Sequence, residues 1–193
     1  IIPENHKIRP VDIGAILSSG HTHIWVRKKP MLCIIPTGDE VINPGEDIKK
    51  GSVVDFNSFM LGAMMLKWGG EYERQDIVPD SMEKLKKAII KCLDHCDILA
   101  VIAGSAVGTK DFTPEIIKEM GKVIVHGVSI KPGKPILLGN IKEKPVIGVP
   151  GYPVSAYITF ELFCKPLVFH LLGLEPEIPP KIKAKISRPV TSV

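Results

Sequence analysis

The sequence predicts an α/β domain, a largely parallel sheet with helices on both faces, and three observations lead there. Met31-Leu32-Cys33-Ile34-Ile35 and Ile98-Leu99-Ala100-Val101-Ile102 are continuous apolar runs of strand length, the pattern of strands buried on both faces. Between such runs stand segments whose apolar residues recur at helical spacing, and the alternation continues to residue 172. With 193 residues, 45% hydrophobic and 24% charged, the chain can bury a full core as one globular domain with extra segments.

In chain order, residues 1–30 read as a lead-in. Pro10 opens a short helix after Arg9 and Gly20 ends it, and residues 23–29 form a strand or connector. The first core strand, over 31–35, is broken by Pro36 and Gly38. After a long polar loop, Met60, Leu61, Met64, Met65 and Trp68 share one helical face, stopped by Gly69-Gly70. Residues 72–78 predict a second strand, and Asp80-Ser81-Met82-Glu83 has the form of a capping box. The helix it opens buries Leu85, Ala88, Ile89, Cys92 and Leu93. After the strand over 97–102, Thr113-Pro114-Glu115 starts a helix with a cap and an early proline, and residues 122–126 form the next strand. Strands near 136–138 and 145–149 lead to a closing helix from Val154 to about Leu172, bent at Pro166.

The net charge of +4 is mild and the lysines are interspersed with acids, so no nucleic-acid partner is expected and a small anionic ligand fits better. No apolar run approaches bilayer length and no leader peptide opens the chain, which predicts a cytoplasmic protein without membrane contact. The missing initial Met and the ending at Ser-Val suggest a piece of something longer. Cys33, Cys92, Cys96 and Cys164 are expected as buried, reduced thiols, since the sequence has neither CxxC pairs nor a converging histidine set for zinc. His21 and His23 are expected at the surface.

The chemistry gathers in loops. Open parallel sheets bind ligands beyond the carboxyl ends of their strands. That rule puts Thr37-Gly38-Asp39-Glu40, Asp80, and residues 104–111, 131–135 and 150–155 on one edge. Lys131-Pro132-Gly133-Lys134-Pro135 sets two ammonium groups on a stiff turn whose glycine admits close approach, which is chemistry for holding an anion. Solvated lysines on a plain turn are the other reading. The small-residue loop carrying Gly104, Ser105 and Gly108 leads to a helix start and offers backbone N–H groups to a phosphate, without the spacing of a Walker loop. Asp39, Glu40, Asp80 and Asp111 offer hard oxygen ligands for Mg²⁺. Three of them also have local roles open to them: Asp80 as a helix cap, Asp39 in a turn, and Asp111 as a cap near Thr113.

Five motifs occur in an order that resembles the molybdopterin molybdotransferase family, which includes gephyrin. They are Thr37-Gly38-Asp39-Glu40, Asp55-Phe56-Asn57-Ser58, Val107-Gly108-Thr109-Lys110-Asp111-Phe112, the Lys131 to Pro135 turn, and Pro150-Gly151-Tyr152-Pro153-Val154-Ser155-Ala156. The resemblance implies a three-layer α/β/α sandwich over 31–172, the central molybdopterin-binding domain of that family. It implies insertion of molybdate into adenylylated molybdopterin with Mg²⁺-dependent loss of AMP. Glu40, Asp80 and Asp111 would be the metal positions, with Asp111, Lys131 and Lys134 catalytic. Thr37, Gly38, Asn57, Gly104, Ser105, Gly108, Pro150, Gly151, Pro153 and Ser155 would contact the cofactor. A homodimer is implied for the full-length protein, its active site completed by the partner subunit, and molybdopterin adenylyltransferase is a further implied partner.

The chain departs from the family in places. Ile102-Ala103-Gly104-Ser105-Ala106-Val107-Gly108 replaces the usual Ser-Gly-Gly-Val-Ser-Val-Gly, Phe56 replaces a small or polar residue, and Tyr152 stands where Asn is common. Residues 1–30 would then be the remnant of a preceding domain or linker, and 173–193 a linker into a C-terminal β domain. The altered loop keeps a second function class open, a molybdopterin-binding sensor or scaffold without turnover.

Overall fold

The structure, a computed structural model, describes residues 2–103, 111–175, 180–185 and 187. The elements are α1 (Pro10–Ser18), β1 (Met31–Pro36), β2 (Val41–Ile42), β3 (Val53–Val54), α2 (Asn57–Lys67), β4 (Glu71–Arg74), α3 (Met82–Leu93) and β5 (Ile98–Ile102). Then come α4 (Thr113–Met120), β6 (Lys122–His126), β7 (Leu137–Ile141), β8 (Lys144–Val149), α5 (Pro153–Thr159), a π-helical turn (Phe160–Cys164) and α6 (Lys165–Leu172). The main sheet has the order β4-β1-β5-β8-β7-β6. Pairs β4/β1, β1/β5 and β5/β8 are parallel, while β7 runs against both β8 and β6. Only β7 is reversed, so β6 points the same way as the parallel strands.

The apolar runs of β1 and β5 are explained by cover on both faces. Leu32, Ile34, Ile98, Ala100 and Ile102 face a core shared with Leu61 and Met65 of α2 and the closing helix. Cys33, Ile35, Leu99 and Val101 face the opposite core, with Ile89 of α3 and Ile116 of α4. Period-two alternation thus divides each strand between two hydrophobic layers, which makes the three-layer α/β/α sandwich. Phe160 is fully buried and stacks on Trp68 at 5.5 Å between ring centroids.

Differences from the sequence-based expectations have local causes. Of the two readings for residues 23–29 the connector holds and the strand does not, with Trp25 fully exposed. The second predicted strand ends at Arg74, although Val78 still bridges Thr37. The polar loop holds the short parallel pair β2/β3. The helix predicted to bend at Pro166 is continuous over Pro153–Leu172 and widens into the π turn just before the proline. Pro166 has no N–H for the carbonyl one turn back and its ring crowds that carbonyl, and a wider turn relieves both. Contrary to the composition reading, this helix is long and apolar enough to cross a membrane; here Ala156, Phe160, Cys164 and Val168 enter the core.

Candidate functional site

The strand directions bring the loops after β4, β1, β5, β8 and β6 to one edge of the sheet. At its centre Thr37 donates both its N–H and its hydroxyl to the Ile102 carbonyl, at 3.1 and 2.8 Å, tying the end of β1 to the end of β5. Gly38 donates its N–H to the Val78 carbonyl at 3.1 Å and holds φ at +133°. A Cβ there would stand 2.7 Å from Glu40 Oε2, so both backbone and space call for glycine. Asn57 opens α2 and donates Nδ2 to the Gly151 carbonyl at 2.6 Å, fastening the loop after β8 to that helix. Its Oδ1 is buried with no hydrogen-bond partner among the described residues. Thr37, Asn57, Ile102, Ala103 and Gly151 line a cleft at these strand ends. Pro150 is buried, Pro153 is the first residue of α5, and Ser155 is buried in its first turn with its carbonyl accepting from the Thr159 hydroxyl at 2.7 Å.

Beside the cleft the acids converge. Asp80 donates its N–H to Asp39 Oδ1 at 3.1 Å. The Asp80 carboxyl is held above its ordinary value of 3.8, first by desolvation among the loop atoms and then by the charges of Asp39, Glu40 and Asp111. Asp80 is nevertheless exposed as a residue, as are Asp39 and Asp111, while Glu40 is half-buried. Among the described residues no lysine or arginine forms an ion pair with Asp39, Asp80 or Asp111. Hard oxygen donors of one sign fit Mg²⁺. The cap of α3 is Ser81, whose Oγ accepts from the Lys84 N–H at 3.4 Å, which removes that role from Asp80. Asp111 does act locally, accepting the Thr113 N–H at 2.9 Å.

The lysine turn leaves an outer strand of the sheet. Three strand spacings, about 14 Å, separate β5 from β6, from which the lysine loop leaves. The loop folds on itself through Val128 N–H to the Lys134 carbonyl at 2.9 Å and leans over α5, where a Cβ on Gly133 would lie 2.6 Å from Thr159 Cγ2. Lys131 and Lys134 are exposed, and neither ammonium group bonds a described residue. Gly104, Ser105 and Gly108 lie outside the described residues.

Two clusters escaped the sequence reading. Asp55, 5% exposed, accepts from the Ser58 N–H at 3.1 Å, from the Ser58 hydroxyl, and from Arg74 Nε at 2.8 Å. Arg74 also donates to Asn43 Oδ1 at 2.8 Å and covers the Phe59 ring. The Asp55-Phe56-Asn57-Ser58 motif therefore splits into a structural half and a cleft half. The cysteines are free and buried as expected, and hydrogen bonding to Cys92 together with burial pushes the Cys33 thiol up to about 12. No set of histidines is expected to converge on them, and one histidine does approach: His95 Nε2 lies 3.3 Å from Cys33 Sγ. Cys92-Leu93-Asp94-His95-Cys96 held the only hint, a histidine between two cysteines.

Comparison with known proteins gives the family. Residues 33–170 match the family described as "Probable molybdopterin binding domain". A provisionally named molybdopterin biosynthesis protein of Methanocaldococcus jannaschii is 46% identical over 171 residues, 84% of this chain and 43% of that protein. A molybdopterin molybdenumtransferase of Haemophilus influenzae is 28% identical over 173 residues, covering 90% of this chain and 43% of the relative. The crystal structure of a molybdopterin biosynthesis MoeA protein from Pyrococcus horikoshii superposes with a TM-score of 0.79 at 34% identity, over 88% of this chain and 42% of that one. The chain therefore spans less than half the length of these relatives. On its fold, its motif order and its match over most of its length, this chain belongs to the molybdopterin-binding domain family.

Proposed function

We propose that the chain serves molybdenum cofactor biosynthesis as the pterin-binding unit of a molybdotransferase, which inserts molybdate into adenylylated molybdopterin and releases AMP. The observation that carries this reading is the buried, unpartnered Asn57 Oδ1 in a cleft flanked by four carboxylates. A buried acceptor without a donor costs about 1–3 kcal/mol, and an N–H of a pterin ring supplies the missing bond. The Thr37 and Gly151 backbone, fixed by Ile102 and Asn57, forms a stiff floor for the ring. Glu40, Asp80 and Asp111 hold Mg²⁺, which when bound neutralises charge on the departing phosphate oxygen. Lys131 and Lys134 attract the opposite, anionic end of the ligand. The lysine turn follows β6 while Asp39 and Glu40 follow β1, four strand spacings away, which suits an extended ligand with two charged regions better than one small anion.

Equilibrium binding of adenylylated molybdopterin, with and without Mg²⁺, tests this. Mg²⁺-sensitive binding that Asn57→Ala weakens about tenfold is the expected result, corresponding to about 1.4 kcal/mol. Mg²⁺-sensitive binding unchanged in Asn57→Ala would remove the pterin from this cleft. Tight binding that is indifferent to Mg²⁺ and gives no AMP would turn the reading to a sensor or scaffold.

A further inference from the structure

Away from the carboxyl edge, three donor side chains from separate elements meet beside the edge strand. Cys33 of β1 and Glu73 of β4 are register partners in a parallel pair, and His95 stands in the turn between α3 and β5. His95 Nε2 lies 3.3 Å from Cys33 Sγ and 3.1 Å from Glu73 Oε2. One nitrogen thus faces a thiol and a carboxylate together, and the three ligand atoms all lie within 4.8 Å of one another. Around a tetrahedral Zn²⁺ with bonds of about 2.0–2.3 Å, the edges between such donors measure roughly 3.3–3.6 Å. The two separations at His95 differ from those edges by only a few tenths of an ångström, and the Cys33 and Glu73 ligand atoms lie within 4.8 Å of each other, so side-chain shifts complete the geometry. Cys33 is fully buried, whereas the side chains of His95 and Glu73 are 40% and 45% exposed, leaving solvent a way in.

We propose that Cys33, Glu73 and His95 bind one borderline-soft divalent cation, Zn²⁺ being the best match, with water as the fourth ligand. A thiolate, an imidazole and a carboxylate favour this class over Mg²⁺ or Ca²⁺, which take oxygen ligands. Binding forms a metal–sulfur bond and releases the Cys33 thiol proton to solvent, while the imidazole keeps its proton on Nδ1 and ligates through Nε2. Four residues of β1, about 13 Å, separate Cys33 from Thr37, so this position is distinct from the acidic edge. Its effect would be to clamp β4 and the turn after α3 to β1. The start of α3 adjoins Asp80, which couples the clamp to the acidic edge through one rigid helix.

The test is titration of Co²⁺ and Zn²⁺ into the whole purified chain under reducing conditions. One Co²⁺ per chain is expected, with near-ultraviolet thiolate-to-cobalt charge transfer, and Zn²⁺ should displace it. His95→Ala, at a half-exposed turn, should weaken Zn²⁺ affinity on the order of 100-fold or more. Cys33→Ser should erase the charge-transfer band, and Cys164→Ser, in the opposite core, should leave it intact. Absence of the band in the unaltered chain, or Zn²⁺ affinity unchanged in His95→Ala, overturns the proposal. The His95→Ala result decides the matter even if Cys33→Ser fails to fold.

Discussion

Asp55 and Asp80 are carboxylates near the same edge of the sheet, and the fold treats them in opposite ways. Asp55 is buried and answered by Arg74 and Ser58; Asp80 is exposed and surrounded by Asp39, Glu40 and Asp111. The first holds β4 to the start of α2. The second stands in a concentration of negative charge in which no described lysine or arginine pairs with Asp39, Asp80 or Asp111, the place where we propose that a cation binds. A charge neutralised within the chain serves the fold, and a charge kept among its own kind makes a candidate for binding.

The largest effect should come from breaking the first arrangement. Asp55→Ala leaves the Arg74 guanidinium, its side chain 17% exposed, without its carboxylate. A loss of about 3–5 kcal/mol in urea unfolding is expected, and Mg²⁺ should not alter it. The double variant Asp55→Ala with Arg74→Met should recover part of the loss. A loss below about 1 kcal/mol would show that the pair is not a structural tie.

Gly38→Ala comes next. It forces a side chain onto φ +133° and into Glu40, with an expected cost of about 1–3 kcal/mol. Because the clash displaces Glu40, the thermal shift produced by Mg²⁺ should shrink as well. An undiminished Mg²⁺ shift would separate Glu40 from the metal.

Asp80→Asn should do the reverse of Asp55→Ala and stabilise the cation-free protein slightly. The folded-state value of Asp80 is raised, so the folded protein holds more protons than the unfolded chain above pH 3.8. Its contribution to stability is present below that value and is lost as pH rises through the raised one. Thermal unfolding of the parent against pH should carry this decline, and Asp80→Asn should flatten it. Equal slopes in the two proteins would dissolve the acidic cluster as an electrostatic unit.

Much of the fold was legible because burial on both faces writes itself into continuous apolar runs, as in β1 and β5. The β7/β8 hairpin was read only as two strands, for a physical reason. Its turn uses Lys142 at φ 50° and Glu143 at φ 62°, a left-handed pair without the Asn-Gly or Asp-Gly that signals such a turn. The acidic edge could be read because each acid follows a predicted strand. The Cys33, Glu73 and His95 cluster could not, since it depends on the register of β1 against β4 and on how the turn after α3 packs. The split of Asp55 from Asn57 was hidden for the same reason, because Arg74 arrives from another strand.

The smallest effect on stability, and the sharpest on binding, is expected at the lysine turn. Lys131 and Lys134 are exposed and their ammonium groups bond no described residue, so replacing either with Ala should move unfolding by less than about 0.5 kcal/mol. If they hold the anionic end of the ligand, each replacement should weaken its binding and reduce the salt dependence of the remainder, because exposed charges act through a screened field. Such a result would set the lysines beside Asp80 as charge kept for a partner. Were Lys131→Ala instead to unfold the chain while binding kept its salt dependence, the turn would belong with Asp55 among the parts that hold the fold.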